Sequence, residues 1–134
     1  MLKIFLASHG KLASGMKSSL DILLGDSNNI TVFDAFLDES SLADILNDYL
    51  ATISTDDTLL LCSDLYGGSV NQVMSLYLSR PNTYLVAGVN LAFMLKLAML
   101  SDVTKEELLS FIDKAKEALC LVELENIEVK EDFF

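Results

Sequence analysis

His9 is the only histidine among 134 residues, and it stands in Ala7-Ser8-His9-Gly10, where an apolar run over residues 2–7 stops. A second run, residues 58–62, stops in the same manner at Ser63-Asp64-Leu65-Tyr66-Gly67-Gly68-Ser69. An imidazole and a carboxylate brought together have a defined chemistry. A carboxylate that accepts from one ring N–H fixes the tautomer and leaves the lone pair of the other nitrogen free. That nitrogen is then a nucleophile, and the carboxylate stabilises the positive charge that develops on the ring as it attacks. Two consecutive glycines let the backbone turn tightly with its N–H groups pointing one way, and Ser69 is placed to cap a helix whose N-terminus favours negative charge. His9, Asp64, Gly67, Gly68 and Ser69 therefore form a candidate phosphoryl site. The nucleotide motif G-x-x-x-x-G-K-[ST] is absent, so the phosphoryl group would arrive already attached to another molecule such as a protein. The structural alternatives are a strand-end histidine that is simply exposed, an aspartate that caps a turn, and glycines present only for backbone geometry. Ser8 and Ser14 read as caps or turn residues.

The two segments meet only if the intervening elements place them together. Apolar clusters of strand length recur at residues 2–7, 30–36, 58–62 and 84–89. Between them, Met16, Leu20, Leu23 and Leu24 make a helical stripe from Ser14 to Leu24 that Gly25 stops. Ser40 or Ser41 is a plausible N-cap for a helix carrying Leu42, Ile45, Leu46, Tyr49 and Ile53 on one face. Helices are also predicted from Ser69 to Leu78 and from Leu91 to Leu100. A fifth, opened by the capping-box spacing Thr104-x-x-Glu107, runs to about Leu119. Strand and helix thus alternate, the pattern of a doubly wound α/β fold with a mostly parallel sheet and helices on both faces. Residues 122–130 partly alternate and are a candidate extra C-terminal edge strand. In such sheets ligands bind beyond the carboxyl ends of the strands, where strand order reverses. For four strands in the order 2-1-3-4 the reversal lies between the ends of strands one and three, which carry His9 and Asp64.

Residues 1–134 read as one domain, with a core over 1–120 and an acidic tail over 121–134. The tail holds five acids against Lys130 and so contributes −4 of the net charge of −11. That charge argues against nucleic acid or an anionic membrane as partner and accommodates a basic protein. Apolar residues make up 51% of the chain, but no run reaches the ~20 residues of a membrane span. The opening apolar stretch is too short for a signal peptide and lacks a small-residue cleavage site, which predicts a cytoplasmic protein. Cys62 and Cys120 read as buried thiols, and Met16, Met74, Met94 and Met99 as helical core residues. The sequence leaves undecided whether Phe133 and Phe134 are exposed or docked. No metal or cofactor is required by the candidate residues.

Three segments, FLASHGKLASGMKSSLDILLG, LLLCSDLYGGSVNQ and VAGVNLAFML, resemble in order and spacing the signatures of the EIIA domain of the mannose family of the bacterial phosphoenolpyruvate-dependent sugar phosphotransferase system. The resemblance covers residues 1 to about 100. It implies an α/β sandwich, commonly a homodimer, sometimes with a C-terminal strand exchanged between protomers. It implies that His9 takes a phosphoryl group from the phosphohistidine of the carrier HPr and passes it to an EIIB component, serving membrane EIIC and EIID components indirectly. By the same resemblance Asp64 orients His9, Gly67-Gly68-Ser69 lies beside the phosphoryl group, and Ser8, Gly10, Ser14 and Asn90 line the rim. The chain departs from the family at Val70-Asn71-Gln72 and at Ala92-Phe93, with Lys96 where an acid is common. These departures are expected to alter the pocket rim and the dimer or EIIB surface, so the sugar cannot be carried over. Alternative readings are a phosphohistidine carrier for a dihydroxyacetone kinase, a receiver-like domain phosphorylated on Asp64, or a regulatory module that binds partners by phosphorylation state.

Overall fold

The first strand is apolar at successive positions, not alternate ones, because both of its faces are covered. In the computed structural model, which describes residues 1–124, Ile4, Phe5, Leu6 and Ala7 are all buried. The elements are β1 (Leu2–His9), α1 (Leu12–Leu24), β2 (Ile30–Ala35), α2 (Leu42–Leu50), β3 (Thr58–Ser63), α3 (Ser69–Ser75), β4 (Thr83–Ala87), α4 (Leu91–Ala98) and α5 (Lys105–Lys116). The four strands form one parallel sheet in the order β2-β1-β3-β4, the order expected from the sequence. Ile4, Leu6, Leu60 and Cys62 pack on one face with α1, α4 and α5, while Phe5, Ala7, Leu59 and Leu61 pack on the other with α2 and α3. Burial pushes the Cys62 thiol far above its ordinary range, so it packs as a small apolar side chain.

The ends of the helices show how the chain is steered. Gly10, at φ 61°, makes the turn from β1 into α1, and its N–H donates to the Ala35 carbonyl at 2.9 Å. The N-cap residue of α1, Lys11, supplies no side-chain acceptor. Two residues from elsewhere do so instead. The buried Ser8 Oγ accepts from the Ala13 N–H at 2.7 Å, and the Asp34 carboxylate, from β2, accepts from the Ser14 N–H at 3.0 Å and the Ser14 hydroxyl at 2.5 Å. An anion at a helix N-terminus satisfies orphan donors and complements the dipole. For α2 the cap is Ser41, not Ser40, and its hydroxyl accepts from the Asp44 N–H. The capping box of α5 is complete, with Thr104 and Glu107 each accepting from the other's N–H.

Several boundaries and burials differ from the sequence reading. Helix α3 ends at Ser75, and the chain continues in i→i+3 turns through Tyr77 and Leu78. Met99 lies beyond the last residue of α4 and is exposed, whereas Met74 and Met94 are buried and Met16 packs on the core edge. Cys120 follows α5 and is exposed, so it is not the buried thiol expected. The helical period of the sequence continues past the point where the turns loosen, and Met99 and Cys120 beyond it are exposed. Residues 122–124 are not in a strand, and the rest of the candidate edge strand, with Phe133 and Phe134, lies outside the described residues. Among the described residues no helix is long and apolar enough to cross a membrane.

Leu60 is fully buried at the centre of the sheet. Leu60→Ala is expected to lower the unfolding free energy by about 2–5 kcal/mol, read as a reduced urea midpoint at unchanged slope.

Candidate active site

The paired registers explain why His9 and Asp64 meet. Strand β1 stays in register with β2 through His9↔Ala35, but its pairing with β3 ends at Ala7↔Ser63. Beyond that point β1 and β3 part, and the His9 N–H has no β3 carbonyl to donate to. It donates to Asp64 Oδ2 at 2.9 Å, so the side chain of the residue after β3 replaces the missing rung. The same oxygen lies 2.9 Å from His9 Nδ1. A carboxylate oxygen can only accept, so Nδ1 carries the proton and Nε2 presents its lone pair. Ser69 Oγ stands 3.2 Å from Nε2 and its hydroxyl can donate there.

Access differs sharply within the pair. The His9 side chain is 41% exposed and that of Asp64 only 10%. The second carboxylate oxygen, Oδ1, is buried and finds no hydrogen-bond partner among the described residues. Burial pushes the Asp64 carboxyl up, but donation by the His9 backbone and ring, the ring's charge and Asp64's own N–H outweigh it and hold the carboxyl below its ordinary range. Asp64 is therefore an anion at neutral pH.

The glycine turn fits closely around the ring. A Cβ on Gly68 would come within 3.2 Å of His9 Cε1, and Gly67 adopts φ 76°, which side chains resist. Gly68, not Ser69, is the N-cap of α3, which leaves the Ser69 hydroxyl free to face Nε2. Phe36, immediately after β2, places its ring centroid 5.2 Å from that of His9.

The remaining rim residues have other partners. Ser8 and Ser14 bind the N-terminal turn of α1 and Asp34, and Gly10 makes the turn before it. Asn90 caps α4, its Oδ1 accepting from the Phe93 N–H at 2.9 Å, while its amide donates to the Ala115 carbonyl of α5 at 2.8 Å. Both of its polar groups are thus spent on α4 and α5. Two of the departures from the family pattern lie deeper than a rim. Val70 and Phe93 are buried in the two cores, Asn71 Oδ1 accepts from the Ser63 hydroxyl, and Lys96 lies over the Phe111 ring at 5.0 Å. Asp34 and Phe36 escaped the sequence reading. A charge inside the apolar cluster of β2 is a usable signal for Asp34, whereas nothing marks Phe36.

Because the Asp64 carboxyl is held below its unfolded value of about 3.9, its contribution to stability is complete above that pH and is lost as pH falls through the folded value. The melting temperature of Asp64→Asn is expected to fall less steeply with acidification below about pH 4 than that of the wild-type protein. Parallel curves for the two would contradict the assignment.

The family model described as the PTS system fructose IIA component, EIIA-man, matches residues 3–123. No functionally curated protein matches significantly. A protein from Klebsiella pneumoniae assigned as a phosphoenolpyruvate-dependent sugar phosphotransferase system permease is 28% identical with a TM-score of 0.81, over 90% of each chain. The mannose/sorbose-specific IIA subunit of the phosphotransferase system of Enterococcus faecalis is 25% identical with a TM-score of 0.78, over 91% of this chain and 95% of that one. The component EIIA of Streptococcus agalactiae, at 22% identity and a TM-score of 0.71 over 94% of this chain and 99% of that one, shares the fold. The matched span contains both strand ends that meet at His9, and the chain belongs to the mannose-type EIIA family of the sugar phosphotransferase system.

Proposed function

We propose that the chain is a phosphohistidine carrier of a sugar phosphotransferase system, taking a phosphoryl group from phospho-HPr on His9 Nε2 and passing it to an EIIB component for sugar uptake. The observation that carries this reading is the double donation of His9 to Asp64 Oδ2, which leaves Nε2 as the only ring nitrogen with a free lone pair. In the transfer step the Nε2 lone pair forms the new bond to phosphorus as the donor's P–N bond breaks, and that bond's electron pair returns to the donor nitrogen. The Nδ1 proton stays on the ring, and the Asp64 carboxylate balances the positive charge that the phosphorylated imidazole acquires. The Ser69 hydroxyl, released from Nε2, turns to donate to a phosphoryl oxygen. Such transfer is governed by position and by donors to the phosphoryl oxygens.

The surroundings suit a protein donor. Leu12, Leu37, Leu65 and Tyr66 are exposed on the segments that follow β1, β2 and β3, close in sequence to the site residues. Exposed apolar side chains at the mouth of a site favour docking of another protein's apolar surface, and the net charge of −11 favours a basic rim on it. A homodimer working in the cytoplasm, with EIIC and EIID reached through EIIB, completes the proposal.

Incubation with phosphoenolpyruvate, enzyme I and HPr is expected to give an acid-labile label that is lost in His9→Ala. In Asp64→Ala, transfer slows by about 100-fold or more while the variant still melts cooperatively. In Ser69→Ala it slows by roughly 10–100-fold. Label that persists in His9→Ala overturns the reading.

A further inference from the structure

Among the described residues two non-glycine residues adopt positive φ, Asn82 and Phe36. Asparagine tolerates this region because its short polar side chain bonds locally. Phenylalanine does not: its Cβ crowds the backbone, and such a conformation persists only where something in the structure fixes it. Burial of the ring is not the reason, since Phe36 is 62% exposed. What the φ of 67° achieves is to swing the ring out of the β2 end and bring it to 5.2 Å from the His9 ring, centroid to centroid and tilted by 34°.

The contacts on His9 are then complementary. Asp64 Oδ2 lies 2.9 Å from Nδ1 and Ser69 Oγ 3.2 Å from Nε2, so both meet the ring at its nitrogens. Gly68 lies close against Cε1, where a Cβ would come to 3.2 Å. Among the described residues, only Phe36 supplies an aromatic partner to the ring itself. We propose that Phe36 is a positioning residue for His9: its strained backbone sets an aromatic ring against the imidazole, so that Nε2 keeps one direction for phosphoryl transfer. The proposal rests on the reading of His9 as the phosphoryl carrier. The strain, on this account, is retained because the aromatic contact improves transfer.

His9 is the sole histidine, so labelling histidine with ¹³C and ¹⁵N reports on this ring alone. The full chain is compared as wild type, Phe36→Leu, Phe36→Tyr and Phe36→Gly. In the unphosphorylated protein, the order parameter of the His9 Cε1–H bond is expected to fall from the rigid range near ~0.85 to below ~0.6 in Phe36→Leu and Phe36→Gly. Phe36→Tyr, which keeps the aromatic face, is expected to restore it. In transfer from phospho-HPr, Phe36→Leu is expected to lower kcat by about 10-fold with KM changed less than about threefold, since misplacement of a reacting atom acts on the bound complex. Glycine relieves the backbone, so Phe36→Gly folds with a melting temperature no lower than wild type. It carries the test if the leucine variant does not fold. A rigid ring in both Phe36→Leu and Phe36→Gly, with the loss confined to KM, would make Phe36 a docking contact and overturn the proposal. If phospho-HPr fails to label even the wild-type protein, the carrier reading fails, and the ring-order measurement still decides what Phe36 does.

Discussion

One carboxylate oxygen organises the site. Asp64 Oδ2 accepts from the backbone N–H of His9 and from its Nδ1, each at 2.9 Å. The first bond is structural, since it ends the β1 ladder where β3 turns away. The second is chemical, since it selects the tautomer. Because both donors belong to one residue, the carboxylate that closes the strand end also holds one edge of the imidazole. The bond works only if β1 and β3 are neighbours that part at the level of Ala7 and Ser63, which a 2-1-3-4 parallel sheet provides.

The rest of the molecule keeps that parting in place. Its apolar runs are continuous because both faces of β1 and β3 are covered, and the two cores lock the strands in register. Helix α1 begins three residues after His9, and its first turn is held by Ser8 from β1 and Asp34 from β2. Beyond β4, Asn90 ties the start of α4 to the end of α5. Val70 and Phe93, where the family pattern differs, fill the cores on either side of the sheet. They act on the site through packing, so divergence at these positions is compatible with an intact His9–Asp64 pair.

Much of this was legible in the sequence because strand ends are marked there. An apolar run that stops at Ser-His-Gly, and another that stops at Ser-Asp followed by two glycines, announce buried strands that emerge at one edge. The bonds of Asp64 to His9 follow once strand order is known, and order follows from β-α alternation. What sequence pattern hides is which partner a polar group chooses. Asn90 lies just past the end of β4, yet its bonds go to helices, and only three-dimensional proximity to Ala115 reveals that. Met99 and Cys120 continue a helical period past helix ends that packing decides. Phe36 is the hardest case, since a bulky residue is a poor sign of positive φ and the reason for it stands on another strand.

The central claim is that Asp64 reserves Nδ1 and leaves Nε2 to carry the phosphoryl group. The most direct measurement is the one-bond ³¹P–¹⁵N coupling in histidine-labelled protein phosphorylated through HPr. Coupling to Nε2, with Nδ1 still bearing its proton, is the expected result. Coupling to Nδ1, or phosphorus bonded to no ring nitrogen, would contradict the account.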